Sequence, residues 1–168
     1  MISLDLSELE KWLGQMEMEV TDAEAHAIGG VLRQDVKEQF SRGGDPSWQP
    51  LSRITVARKR MLGYPRITRK GMNPESLKQN GILGPENILI MTGALLSSWT
   101  DETDPHHLEE HDGGNVWIGS LLPYAEIHQF GGWTVIDDRR VYVPARPLRV
   151  TEDARRRIID LLDKATTK

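Results

Sequence analysis

The 168-residue sequence contains no cysteine, which excludes disulfides and thiolate metal sites. No apolar run approaches the roughly 20 residues that a membrane-spanning helix requires, so no membrane partner is expected. The opening Met1-Ile2-Ser3-Leu4-Asp5 lacks the basic and apolar regions of a signal peptide, and a reducing, intracellular setting is the expectation. Net charge is small: 21 Lys and Arg against 25 Asp and Glu leave −4, which makes no global case for nucleic-acid binding. The apolar share, 38%, is modest beside 27% charged residues. This combination predicts a small core, a large polar surface, and apolar side chains that become buried only when subunits associate. The length suits one domain over residues 1–168 with a projecting arm.

Catalytic motifs are also missing. Ser97-Ser98 has no G-x-S-x-G context, and Gly81-Ile82-Leu83-Gly84-Pro85 lacks the lysine and hydroxyl of a phosphate-binding loop. The densest polar cluster is Asp104, His106, His107, Glu109, Glu110, His111 and Asp112. These are suitable metal ligands by type. A strand, however, sends His106 and His107 to opposite faces, and a metal needs convergent ligands. The cluster reads as a polar, exposed strand, with a metal-dependent hydrolase as the lesser alternative. Glu126 and His128 lie two apart on a predicted helix and share no face. They do not form an acid–base pair, and His128 and Gln129 read as backbone and interface hydrogen-bonding groups. No catalytic, cofactor or metal residue is assigned, and the chain is not expected to be an enzyme.

The sequence does contain clear element signals. Leu6, Leu9 and Leu13, with Trp12 beside them, predict a helix from Ser3 to about Glu19. A longer helix is predicted from about Asp22 to Phe40, capped by Thr21 with Glu24 three residues on. Its apolar stripe is Ala25, Ile28, Leu32, Val36 and Phe40, and Gly29-Gly30 marks a kink or a close helix contact. Gly43-Gly44-Asp45-Pro46 ends it. Ser52 or Thr55 caps a short helix carrying Arg53, Arg58, Lys59 and Arg60. Residues 61–87, rich in Gly, Pro, Asn and Lys, read as an extended loop or arm. Gly93 to Trp99 predicts a helical turn passing into a strand of roughly Trp99 to Glu110. A turn at Asp112-Gly113-Gly114-Asn115 leads to a second strand, Val116 to Gly119. Trp99 and Trp117 could face each other across that hairpin. Pro123 to Phe130 suits a short helix stopped by Gly131. Asp137-Asp138-Arg139-Arg140 turns a second hairpin between Trp133–Ile136 and Val141–Val143. Thr151 caps a last helix whose inner face is Ala154, Ile158, Leu161 and Leu162.

The expected fold class is therefore α+β. A small antiparallel or mixed sheet of about four strands is flanked by N-terminal helices and a C-terminal helix. The basic segment 53–78, with Arg58, Lys59 and Arg60 as candidate DNA contacts, leaves a DNA-contacting assembly factor as an alternative reading. A charge run is more often a solvated face. Arg155-Arg156-Arg157 spread around the last helix and form no single patch. Core packing is the default for the five tryptophans, with those near the arm or Gly131-Gly132 able to anchor a neighbour.

Several blocks follow one another in a recognisable order. They are Phe40; Trp48-Gln49-Pro50-Leu51-Ser52 with Thr55; Ile90 to Ser98; and Val116-Trp117-Ile118-Gly119. Then come Tyr124-Ala125-Glu126-Ile127-His128-Gln129-Phe130-Gly131-Gly132 and Val143-Pro144-Ala145-Arg146-Pro147-Leu148. From about Phe40 onward this resembles the Mu-like phage virion morphogenesis family, which includes tail-completion proteins. The sequence departs from the family pattern in its long 61–87 segment and in Leu148, where phenylalanine is commoner. The resemblance implies a phage or prophage structural protein that completes tails or joins them to heads without an enzymatic step. It implies residence in the virion, and in the host cytoplasm during assembly. The implied partners are copies of the chain in a ring, a hexamer among the open sizes, and other phage tail or neck proteins. Nucleic acid is not an expected partner, and no cofactor is implied. The interface candidates are Trp48, Tyr124, His128, Gln129, Gly131, Gly132 and Arg146. Arg146 either places a forked donor against a neighbour's carboxylate or holds the last helix of its own subunit.

Overall fold

In the computed structural model, which describes residues 2–3, 20–63, 87–112, 115–136 and 138–166, the central element is helix α1 (Asp22–Arg42). It starts where Thr21 and Glu24 cap each other. The Glu24 N–H donates to Thr21 Oγ1 at 3.3 Å and the Thr21 N–H donates to Glu24 Oε2 at 2.7 Å, which satisfies two of the orphan donors at a helix start. It ends at Gly43 in the left-handed conformation, with the Gly43 and Gly44 N–H groups both donating to the Gln39 carbonyl. The predicted stripe Ala25, Ile28, Leu32, Val36 and Phe40 is buried along one side.

Helix α2 (Arg53–Met61) begins at Ser52, whose Oγ accepts from the Thr55 N–H at 3.1 Å. Helix α3 (Ala94–Thr100) follows Gly93 and buries Leu95, Leu96 and Trp99 against α1. Strands β2 (His107–Asp112) and β3 (Asn115–Ser120) pair antiparallel, with His107 opposite Ser120 and Glu110 opposite Trp117. The two-residue β1 (Ile2–Ser3) pairs on the other side of β3, giving the order β1-β3-β2. Val116 and Ile118 carry the inner face of this sheet into the core. Helix α4 (Ala125–Phe130) then leads into a separate hairpin, β4 (Gly132–Ile136) with β5 (Arg139–Val143). Helix α5 (Glu152–Thr166) returns along α1, burying Ala154, Ile158 and Leu162. Ile158 and Leu162 each contribute roughly 1.5–3 kcal/mol when fully buried.

A buried carboxylate fastens α5 to α1. Asp35, fully buried, accepts the Thr151 hydroxyl at 2.6 Å, the Thr151 N–H at 3.1 Å and Gln39 Nε2 at 3.1 Å. Thr151 Oγ1 in turn accepts the Ala154 N–H at 3.2 Å, so the predicted cap is anchored from outside its own helix.

The fold is α+β with antiparallel pairing, and its strands divide between two sheets. Three expectations change. The strand predicted from Trp99 does not start there: α3 continues to Thr100, and β2 begins at His107. Trp99 is therefore a core residue of a helix and does not face Trp117, whose cross-strand partner is Glu110. Ser3, predicted to begin a helix, lies in β1. The rest of that helix, residues 4–19, and most of the predicted arm, residues 64–86, fall outside the described residues. The close neighbour at Gly29 is not another helix, as expected, but the Glu109 carboxylate of the sheet, which leaves no room for a Cβ there.

Candidate interaction surface

The two motif blocks are one structural unit, a clamp around the base of the β4–β5 hairpin. Helix α4 ends because Gly131 takes φ 71°, a conformation that favours glycine. The chain beyond the hairpin passes directly over it, so that a Cβ on Gly131 would lie 2.7 Å from the Ala145 nitrogen. The Arg146 N–H donates to the His128 carbonyl at 2.7 Å. Gln129 completes the clamp: its Nε2 donates to the Leu148 carbonyl at 3.0 Å, and its Oε1 accepts the Leu148 N–H at 2.9 Å. A side-chain amide thus pairs with the backbone as a neighbouring strand would.

With its base held, the hairpin projects. Phe130 is 68% exposed, Trp133 61%, and Val135, Tyr142 and Tyr124 are exposed beside them. Trp133 and Tyr142 stack edge-on at 5.4 Å, and the Arg140 guanidinium lies 4.9 Å from the Trp133 ring centre. The sequence signal for this surface is an amphipathic-looking hairpin turned by four charged residues. Its apolar positions resemble core positions in sequence, but no element among the described residues packs over them.

Beneath the hairpin, Arg146 is only 7% exposed, and its buried Nε has no hydrogen-bond partner. Burial lowers its pKa. The neighbouring His128 is held down to about 4, chiefly by burial and secondly by the Arg146 charge. It is therefore neutral at pH 7, and its buried Nδ1 also lacks a partner.

The other sequence candidates divide. Trp48 is internal: it is 5% exposed, stacks edge-on with Phe40 at 5.8 Å, and donates its indole N–H to the Pro147 carbonyl at 3.0 Å. Gln129 has both ends of its amide committed within the subunit. Gly131 and Gly132 shape the backbone and present no side chain. Tyr124 is exposed, His128 is half-buried behind it with the two ring centres 6.2 Å apart, and Arg146 is buried next to His128. Among the candidate DNA contacts, Lys59 is 5% exposed and donates to the Asn87 carbonyl at 2.7 Å, whereas Arg58 and Arg60 are exposed.

The histidine-rich strand is a charge network. His107, Glu109 and His111 point toward α1, where the Glu109 carboxylate contacts Arg33, accepts His107 Nε2 at 3.1 Å and lies 3.0 Å from His111 Nε2. Burial alone would raise the Glu109 pKa, but the bonds from His107 and Arg33 outweigh it and bring it to about 2. His107 is raised, first by Glu109. Its Nδ1 faces the Ser98 carbonyl at 3.0 Å, so both ring nitrogens meet acceptors and the imidazolium is favoured. A guanidinium thus occupies the place where a cation would sit, and His106 turns away to Asp104. No three His, Asp or Glu side chains among the described residues are placed to hold a metal ion. No helix among them is long and apolar enough to cross a membrane.

Comparison with known proteins agrees with the motif order. A curated relative, the Mu-like prophage FluMu G protein 2 of Haemophilus influenzae, is 26% identical over 156 residues, covering 89% of this chain and 84% of its own. No solved structure matches the chain. The model of the phage virion morphogenesis family matches residues 4–166, almost from end to end, and the chain belongs to that family.

Proposed function

We propose that the protein completes the phage tail, or joins it to the head, as one subunit of a ring-forming homo-oligomer. It acts by fitting surfaces together, without an enzymatic step. The observation that carries this reading is the outward aromatic hairpin. A two-stranded hairpin is marginally stable alone in water, and a contiguous exposed apolar patch marks an interaction site. Here Trp133, Val135 and Tyr142 face solvent on a hairpin whose base is clamped in place, with Phe130 exposed at the end of α4 beside them. Rings need two different surfaces that meet head to tail and close. The partners are copies of the chain and other tail or neck proteins, in the host cytoplasm during assembly and then in the virion. Of the residues behind the DNA-contacting alternative, Lys59 is committed inside the subunit, while Arg58 and Arg60 face solvent.

The test is deletion of the gene from the phage or prophage that carries it, followed by electron microscopy and plaque titration. Unjoined heads and unfinished tails are expected, with infectivity restored from a plasmid copy. Intact infectious particles in the deletion strain would overturn the reading.

A further inference from the structure

We propose that the surface formed by Arg146, His128 and the aromatic hairpin receives the acidic end of β2 from a second copy of this chain. This identifies the two faces of the head-to-tail contact, and it rests on the ring reading above. The receiving face is incomplete within one subunit. Arg146 is more than nine-tenths buried, its Nε has no acceptor, and no carboxylate among the described residues pairs with it. The buried Nδ1 of His128 beside it is equally unpaired. A buried guanidinium without an acceptor is costly. A carboxylate is the group whose geometry suits it best, and a neutral imidazole can donate to the same group. Residues 139–149 contain Arg139, Arg140, Arg146 and Arg149 and no acid. With the exposed Asp138 of the turn and Glu126 of α4 beside these arginines, the face is of mixed charge around the buried Arg146, and aromatic.

The same chain carries the complement. Glu110 and Asp112 are exposed at the far end of β2. His26 of α1 lies edge-on to His111 at 6.3 Å, which brings the exposed Asp22, one turn earlier, to the same end. Residues 22–29 and 107–112 contain no lysine or arginine. The two faces lie at opposite ends of the sheet. Helix α4 follows Ser120 and touches β1, and Ser120 is paired with His107. From His107 the strand runs on to Asp112, a span of roughly 17 Å. One copy cannot join its own two ends, whereas successive copies can, which is the heterologous geometry that closes rings.

The absence of cysteine makes the test direct. The full chain is prepared with Phe130→Cys and Asp112→Cys together and with each alone, then treated with a short bis-maleimide. Light scattering of the unmodified chain gives its assembly state in parallel. The expected result is a ladder of covalent multimers from the double variant only, with each single variant stopping at dimer. Adding the exposed substitution Arg140→Glu, or Arg146→Gln, should reduce the ladder by at least about tenfold with the melting curve retained. An oligomer by light scattering with no ladder overturns this inference and leaves the ring reading standing. A ladder undiminished by both charge substitutions overturns the charge pairing. A chain that stays monomeric, even with unfinished tails added, and gives no ladder overturns both.

Discussion

Gly131 carries two constraints at once, a left-handed φ of 71° and the Ala145 backbone pressed against it, whereas Gly132 has a φ of 141° with open space around it. The comparison separates backbone strain from steric exclusion. Gly132→Ala should cost about 1–2 kcal/mol from strain alone, and Gly131→Ala about 2–4 kcal/mol because the clamp must also open. Urea denaturation of the two variants reads this order directly, and equal losses would mean that the close approach to Ala145 is not real. At this scale the sequence showed which residues matter better than what they do. The Gly131 stop was legible from glycine's conformational freedom alone. The roles of Trp48 and Gln129 were not, because both are set by Pro147 and Leu148, which are remote in sequence and close only after folding. Arg146 was readable as either a neighbour's ligand or a strut for its own subunit. The structure divides those roles between its backbone, which holds the clamp, and its guanidinium, whose Nε finds no acceptor.

Elements were legible where their ends carry local chemistry. The Thr21–Glu24 cap, the Gly43 stop and both hairpin turns follow from residues adjacent in sequence. The helical turn over Gly93–Trp99 is legible, but the strand expected from Trp99 starts only at His107, because periodicity does not show where a short buried run stops being helical. The joint between α1 and α5 gives one prediction. Asp35→Ala strips acceptors from the Thr151 N–H and hydroxyl and from Gln39, and should cost about 2–4 kcal/mol in thermal or urea unfolding. A loss below about 0.5 kcal/mol would show that water replaces the carboxylate. Strand β2 gives another. The folded pKa of His107 lies above its ordinary 6.5, so its stabilisation is complete below pH 6.5 and is lost as the pH rises through the raised value. Glu109 has the opposite sign. Depressed to about 2, it contributes fully above 4.5 and loses that contribution as the pH falls toward 2. The melting-temperature gap between the wild type and His107→Gln should therefore be largest between pH 5 and 6.5 and shrink by pH 9. Because His128 is present in both proteins, its own titration cancels. A gap that is flat or grows with pH would refute the charged-histidine reading.

Across the whole molecule, two kinds of surface are kept apart. On the α1–β2–α5 side the large charges are paired, Arg33 with Glu109 and Arg157 with Glu38, although the Arg157 Nε lacks a partner and Glu110 and Asp112 face solvent. The hairpin side leaves its aromatics and the Arg146 Nε unsatisfied. Composition foreshadowed this division, since a modest apolar share left little to spare for display unless display is functional. Sequence alone did not say which apolar residues would be outside. Association and folding should therefore respond to different substitutions. Replacing Phe130 and Trp133 with serine removes apolar surface that is already in water, so the melting temperature of the isolated subunit should stay within a few degrees of the wild type. Self-association, measured by sedimentation at matched concentrations, should fall by on the order of a hundredfold or more, because buried aromatic anchors dominate interface energies. Raising salt from about 0.05 M to about 0.5 M should weaken the remaining association, since arginine–carboxylate contacts at an interface rim are screened over a Debye length. The same salt change should leave the salt response of unfolding nearly the same in the wild type and the Phe130→Ser/Trp133→Ser variant. If the double serine variant associates as tightly as the wild type, the hairpin is not the surface on which copies meet.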